Sequence, residues 1–85
     1  MRCKASVVVK LRKGVLDPQG AAVEGALRSM GYADAAGVRV GKCFEFGLEA
    51  ASLDEARNRA VEISRRILAN PVLEDFTVEV QPVVD

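Results

Sequence analysis

From Cys3 to Leu11 the chain alternates. Cys3, Ala5, Val7, Val9 and Leu11 fall on one side of an extended segment, and Lys4, Ser6, Val8 and Lys10 on the other. A period of two with β-branched residues commits this stretch to a half-buried strand. Such a strand needs neighbours to satisfy its backbone and a second layer to cover its apolar side.

The rest of the chain offers both. Asp17-Pro18 opens a helix: Asp is a good N-cap and Pro is tolerated at the first helical position. Val23, Ala26, Leu27 and Met30 form an i, i+3, i+4, i+7 stripe, and Gly31 stands where a terminating glycine belongs. Ser52-Leu53-Asp54-Glu55 is a capping box that starts a second helix, with Leu53, Ala56, Ala60, Ile63 and Ile67 on one face. Glu55–Arg59 and Glu62–Arg66 are i, i+4 pairs in the favourable order, and Asn70-Pro71 ends the helix. Phe76, Val78 and Val80 alternate with polar residues in a last strand.

Between the helices, Val38, Val40, Phe44, Phe46 and Leu48 all fall on even positions. Two readings fit. Gly41-Lys42 makes a type II′ hairpin turn, or the segment is one long strand bent at Gly41. A strand that long could reach beyond its own sheet to a second subunit. With two strands here the order is βαββαβ, an α+β, ferredoxin-like two-layer sandwich with both helices on one face of an antiparallel sheet. Residues 1–85 read as one domain. A chain of this size buries only about 60–65% of its unfolded surface, so self-association is the expected aid to stability. Val8, on the otherwise polar face, agrees with that.

Composition removes several function classes. Twelve basic residues balance twelve acidic ones, and the few aromatics fall mostly on strand positions, so no nucleic-acid surface is expected. No apolar run approaches the length of a membrane span and no signal peptide is evident, so no membrane partner is expected and the cytoplasm is. Histidine is absent, which removes the usual triads and the commonest metal ligand. Around Gly41-Lys42 the phosphate-loop positions hold Ala36 and Cys43, which do not fit. Cys3 and Cys43 are too few and too far apart for a disulfide framework or a metal motif. Glu74-Asp75 reads as solvated loop charge, Cys43 as a small apolar filler, and Arg57, Arg59, Arg65 and Arg66 as an ion-paired helix face. No catalytic, cofactor-binding or metal-binding residue is assigned.

Three loops are richer than connectors require: Lys10–Gly20, with apolar Val15 and Leu16; Val38–Lys42; and Leu68–Asp75. The runs Gly14-Val15-Leu16-Asp17-Pro18-Gln19-Gly20, Met30-Gly31-Tyr32, Val38-Arg39-Val40-Gly41-Lys42 and Leu68-Ala69-Asn70-Pro71-Val72-Leu73-Glu74-Asp75 resemble, in order and spacing, the PurS family. The likeness runs from about Lys4 to Val80; the tail Val83-Val84-Asp85 matches nothing in it. PurS is the small subunit of phosphoribosylformylglycinamidine (FGAM) synthase in organisms that divide the enzyme into three chains.

The resemblance implies a non-catalytic bridging role in purine biosynthesis. A glutaminase subunit releases ammonia, and a large synthetase subunit uses ATP and Mg to activate formylglycinamide ribonucleotide. The small subunit joins the two and dimerises through its sheet, forming a homodimer or tetramer. It is part of a ligase complex without an active site of its own. Val15, Leu16, Asp17, Gln19, Arg39, Gly41, Lys42 and Asn70 are the expected partner-binding residues. The alternatives are a dimeric ligand-sensing regulatory domain and an acylphosphatase-like enzyme of the same fold. For the latter, Arg39 and Asn70 stand in no recognisable motif.

Overall fold

The alternation of the first segment is realised as β1, Arg2–Leu11, with Cys3, Ala5, Val7 and Val9 all but inaccessible to solvent. In this computed structural model, which describes residues 1–84, the chain continues through α1 (Pro18–Ser29), β2 (Gly41–Glu49), α2 (Leu53–Ile63) and β3 (Glu74–Pro82). Asp85 of the unmatched tail lies outside the described residues. The sheet is antiparallel in the order β2-β1-β3. Its register runs from Arg2 opposite Glu49 to Lys10 opposite Gly41 on one side of β1, and from Cys3 opposite Pro82 to Leu11 opposite Glu74 on the other.

The middle segment departs from both sequence readings. Gly41 and Lys42 do not turn; they are the first residues of β2, opposite Lys10 and Val9. Val38–Val40 leads into β2 outside the ladder. The ferredoxin-like α+β plan is therefore built on three paired strands, and this lead-in takes the sequence position of the missing fourth strand. Glycine at 41 is required by closeness rather than by a turn. A methyl group there would stand 2.5 Å from the Val9 carbonyl oxygen.

One layer of the sandwich is α2. Ala56, Ala60 and Ser64 are fully buried, and Ser64 Oγ donates to the Ala60 carbonyl oxygen at 2.8 Å. A stride of four residues is longer than the 3.6 of an α-helix, so the seam can continue only if the helix unwinds. It does so in a π-helical turn over Ser64–Leu68, closed by Ala69 N–H donating to Ser64 O at 2.9 Å. That turn brings Leu68 to the core and leaves Ile67, which the sequence placed on the buried face, 77% exposed.

The arginines of α2 also differ from the expected ion-paired face. Glu62–Arg66 pairs at 3.2 Å. Arg59 instead donates to the Glu49 carbonyl at 2.5 Å and Arg57 to the Val78 carbonyl at 2.8 Å, tying the helix to the strands. Glu55 accepts from Ala51 N–H at 3.2 Å, and Ser52 Oγ accepts from Glu55 N–H at 3.1 Å.

α2 packs on β1 and β3, whereas α1 has no comparable packing on the sheet or on α2. Both helices were expected on one face; only α2 covers it. The radius of gyration is accordingly 16.3 Å, where a compact chain of this length would have about 12 Å.

Replacing Ala60 with Leu should overpack the seam and cost about 1–3 kcal/mol in chemical denaturation. Ile67→Ala should stay within about 0.5 kcal/mol of the parent. The reverse order of effects would restore the simple helical face.

Candidate functional site

β1 ends where β2 and β3 begin, so all three rich loops gather at one end of the sheet. Their backbone groups have left the ladder and need other partners. Asp17 supplies several. As the α1 N-cap, its Oδ1 accepts from Gly20 N–H at 2.8 Å; its Oδ2 accepts from Val40 N–H at 3.0 Å and lies 3.6 Å from Arg39 Nε. Val38 N–H donates to Glu24 Oε1 at 3.2 Å. Gly20 lets the first turn of α1 close on this segment, since a Cβ there would stand 2.3 Å from the Val38 carbonyl oxygen.

Two arginines complete the weave. Arg39 Nη2 donates to the carbonyls of Leu11 and Arg12, joining the second loop to the first. Arg12 joins the first to the third. Its N–H donates to Leu73 O at 2.7 Å, its Nη2 to Pro71 O at 2.7 Å, and its Nη1 meets Asp75 Oδ1 at 2.9 Å. Within the third loop, Asn70 Oδ1 accepts from Val72 N–H at 3.0 Å and Asn70 N–H donates to Glu74 Oε1 at 2.8 Å.

The residues expected to bind partners thus divide. Asp17, Arg39 and Asn70 hold backbone groups of the loops and Gly41 starts β2, with Asp17 half-buried and the other three exposed. Leu16 is 77% exposed, Gln19 and Lys42 are exposed, and Val15 is half-buried. Val72, 76% exposed, and Leu73 join Leu16 on the outer surface. Lys42 Nζ lies 6.0 Å from the Phe44 ring centroid. Sequence reasoning did not single out Arg12, Glu24 or Val72. The only signal was an arginine at the end of a central strand, where carbonyls lose their ladder partners.

Glu74 and Asp75, read from the sequence as solvated loop charge, are engaged by the Asn70 N–H and by Arg12 respectively. Cys43 is a free, exposed thiol on the open face, opposite Val8. Among the described residues no three His, Cys, Asp or Glu side chains gather closely enough to hold a metal ion. What this end of the molecule can do chemically is present shape: apolar knobs on loops held from beneath.

The N–H groups of Val40 first, then of Gly20, and the Arg39 guanidinium hold the Asp17 carboxyl below its ordinary pKa. A depressed carboxyl contributes its stability in full above the unfolded value, about 3.9, and loses it as pH falls through the folded value. Asp17→Asn should therefore flatten the acid limb of the stability–pH curve below about pH 4, read by denaturant midpoints. An unchanged acid limb would remove Asp17 from the centre of the loop network.

A family model described as PurS, phosphoribosylformylglycinamidine (FGAM) synthase, matches residues 4–82. The phosphoribosylformylglycinamidine synthase subunit PurS of Bacillus subtilis is 43% identical over 81 residues, covering 95% of each chain. Among solved structures, PurS of Thermus thermophilus superposes with a TM-score of 0.87 at 40% identity, covering 99% of this chain and 100% of that one. A chain in the structure of PurLQS from Thermotoga maritima gives 0.85 at 27% identity, covering 95% and 99%. No helix of the described residues is long and apolar enough to cross a membrane. The family pattern runs through nearly the whole chain and the same fold recurs at 40% identity: the chain belongs to the PurS family.

Proposed function

We propose that this chain is the small, non-catalytic subunit of phosphoribosylformylglycinamidine synthase, and that it bridges the glutaminase and the large synthetase subunit in the cytoplasm. The observation that carries the bridging role is the loop end. Three loops from separate parts of the chain are cross-tied by Asp17, Arg39 and Arg12, yet turn Leu16 and Val72 outward. Loops so held lose little conformational freedom when a partner covers them, which is how apolar knobs become binding anchors.

On this reading ATP and Mg act on the synthetase subunit, which activates the amide oxygen of formylglycinamide ribonucleotide. Ammonia released from glutamine displaces that oxygen. This chain contributes no proton transfer and no nucleophile. It keeps the two catalytic subunits together so that ammonia passes between them, and it does so as a homodimer or tetramer. Leu16, Gln19, Lys42 and Val72 are the contact residues, with half-buried Val15 next to Leu16 in the same loop. Asp17, Arg39, Gly41 and Asn70 shape the surface.

Reconstitution from the two catalytic subunits and this chain tests the reading. Glutamine-dependent turnover should require the chain, and ammonium-dependent turnover should not. If adding it changes neither, the bridging role fails and a ligand-sensing domain becomes the reading to pursue. Leu16→Asp combined with Val72→Asp should lower glutamine-dependent turnover at least tenfold at subsaturating subunit concentration. Its far-UV circular dichroism and ammonium-dependent turnover should match the parent. Full glutamine-dependent turnover in that variant would place the docking surface elsewhere.

A further inference from the structure

Twelve basic residues balance twelve acidic ones, but the balance is not local. Arg2, Lys4, Arg12, Arg28, Arg39 and Arg66 each meet a carboxylate. Arg57 and Arg59 are held by strand carbonyls. Among the described residues the cations with neither kind of partner are Lys10, Lys13, Lys42 and Arg65, and all of them are exposed. They share one end of the molecule. Lys10 stands opposite Gly41, the residue before Lys42, where β1 ends and β2 begins. Lys13 belongs to the first loop, and Arg65 borders a hollow with Arg12, Pro71 and Asp75 of the loop end.

The bracing network explains the excess. Asp17 is engaged by the N–H groups of Gly20 and Val40 and by Arg39, Asp75 by Arg12, and Glu74 by the Asn70 N–H. Each carboxylate of the loop end therefore works within the loops, and none pairs with a lysine. Among the described residues the carboxylates left without a partner are Asp34, Asp54 and Glu79, and they lie elsewhere. Asp54 is in the first turn of α2, which follows the far end of β2, and Glu79 is opposite Ser6 in mid-strand. A chain without net charge is thus polarised, with its uncompensated cations around the loops.

Those cations border apolar hollows. One, of about 380 Å³, sets Lys10 and Lys13 beside Val8, Leu11 and Phe76. Another, of about 330 Å³, sets Lys10 and Lys42 beside Leu11 and Pro18. Lys10 belongs to both, so the lysines form one band, and Leu16 protrudes from the same end.

We propose that the partner subunit docked on the loop end brings an acidic face, whose Asp and Glu carboxylates meet Lys10, Lys13 and Lys42 while its apolar side chains meet Leu16 and the hollows. The inference rests on the bridging reading and adds the chemistry of the surface that the partner presents. Exposed ion pairs contribute little to affinity. A cluster of one sign draws in a surface of the other, speeds the encounter and turns away basic surfaces. The lysines then govern approach, and Leu16 and Val72 govern how long the partner stays.

Binding kinetics on the two catalytic subunits tests this. Association of the parent chain should slow at least about tenfold between about 50 mM and about 500 mM NaCl, as a screened attraction does. Lys10→Glu with Lys13→Glu should slow association at least about tenfold at the lower salt and flatten the salt dependence, with dissociation changed less than about threefold. Lys10→Arg with Lys13→Arg should behave as the parent. Parent association that ignores salt, or a charge-reversed variant that keeps the parent rate, would overturn the inference and leave bridging intact. No binding at either salt would overturn both. Salt-dependent retention of ATP or RNA by the free chain, with subunit association indifferent to salt, would reassign the lysines to a phosphate ligand and so overturn it too. If the double variant loses the parent's far-UV circular dichroism, Lys13→Glu alone, in the loop, decides by the same readings.

Discussion

Everything in this fold leans on β1. It is hydrogen-bonded along both edges, and it supplies the buried residues Cys3, Ala5, Val7 and Val9, to which β3 adds Val78. These side chains are small, and α2 answers with Ala56, Ala60 and Ser64. Small against small lets helix and sheet approach closely, but it makes a thin core. The volume is completed from the flanks by Phe44, Phe46 and Phe76, which stay partly exposed. A domain of this size has little burial to spare, so stability carried by association is the natural outcome.

The second constraint is what becomes of backbone that leaves the ladder. Val38–Val40 is unpaired by any strand, and the N–H groups of Val38 and Val40 go to Glu24 and Asp17 instead. That exchange replaces an edge strand with a side-chain scaffold. It explains why the segment following α1 is ordered without strand pairing, and why the helix departs in a fixed direction. α1 is ended just as firmly: Tyr32 N–H donates to Leu27 O at 3.0 Å and Gly31 N–H to Arg28 O at 3.1 Å. These are the paired bonds of a Schellman cap, and they need the left-handed backbone that Gly31 adopts at φ 101°.

Much of this was legible beforehand. Alternation located β1 and β3, and the caps Asp17-Pro18 and Ser52 located the starts of both helices, because these signals are local and their partners lie within a few residues. The failures share a cause. Gly41-Lys42 has the chemistry of a turn, but its glycine answers to the Val9 carbonyl across the sheet, a contact without sequence proximity. Ile67 has the right spacing for a uniform helix, and a π-helical turn moved the face past it. The stripe Val23, Ala26, Leu27 and Met30 promised a packed helix, and periodicity cannot say whether the fold brings a surface to it. At the loop end the gathering of three loops is a consequence of antiparallel register. Sequence could flag each loop as unusual, but could not separate Asp17 and Arg39, which brace, from Leu16, which protrudes.

The bracing and the protrusion are physically linked. Asp17 caps α1 and holds Val40 with the same carboxylate, and the run Val15–Gly20 lies between β1 and that cap. Any force that fixes the direction of α1 therefore also fixes the loop that carries Leu16. A partner that covers Leu16 would hold the loop, the loop would hold the Asp17 network, and that network would hold the start of α1. Binding at the loop end and the setting of α1 would then be coupled in the thermodynamic sense, each favouring the other to the same extent. A bridging subunit built this way would need no moving part. Its recognition surface would be complete only when its fold is.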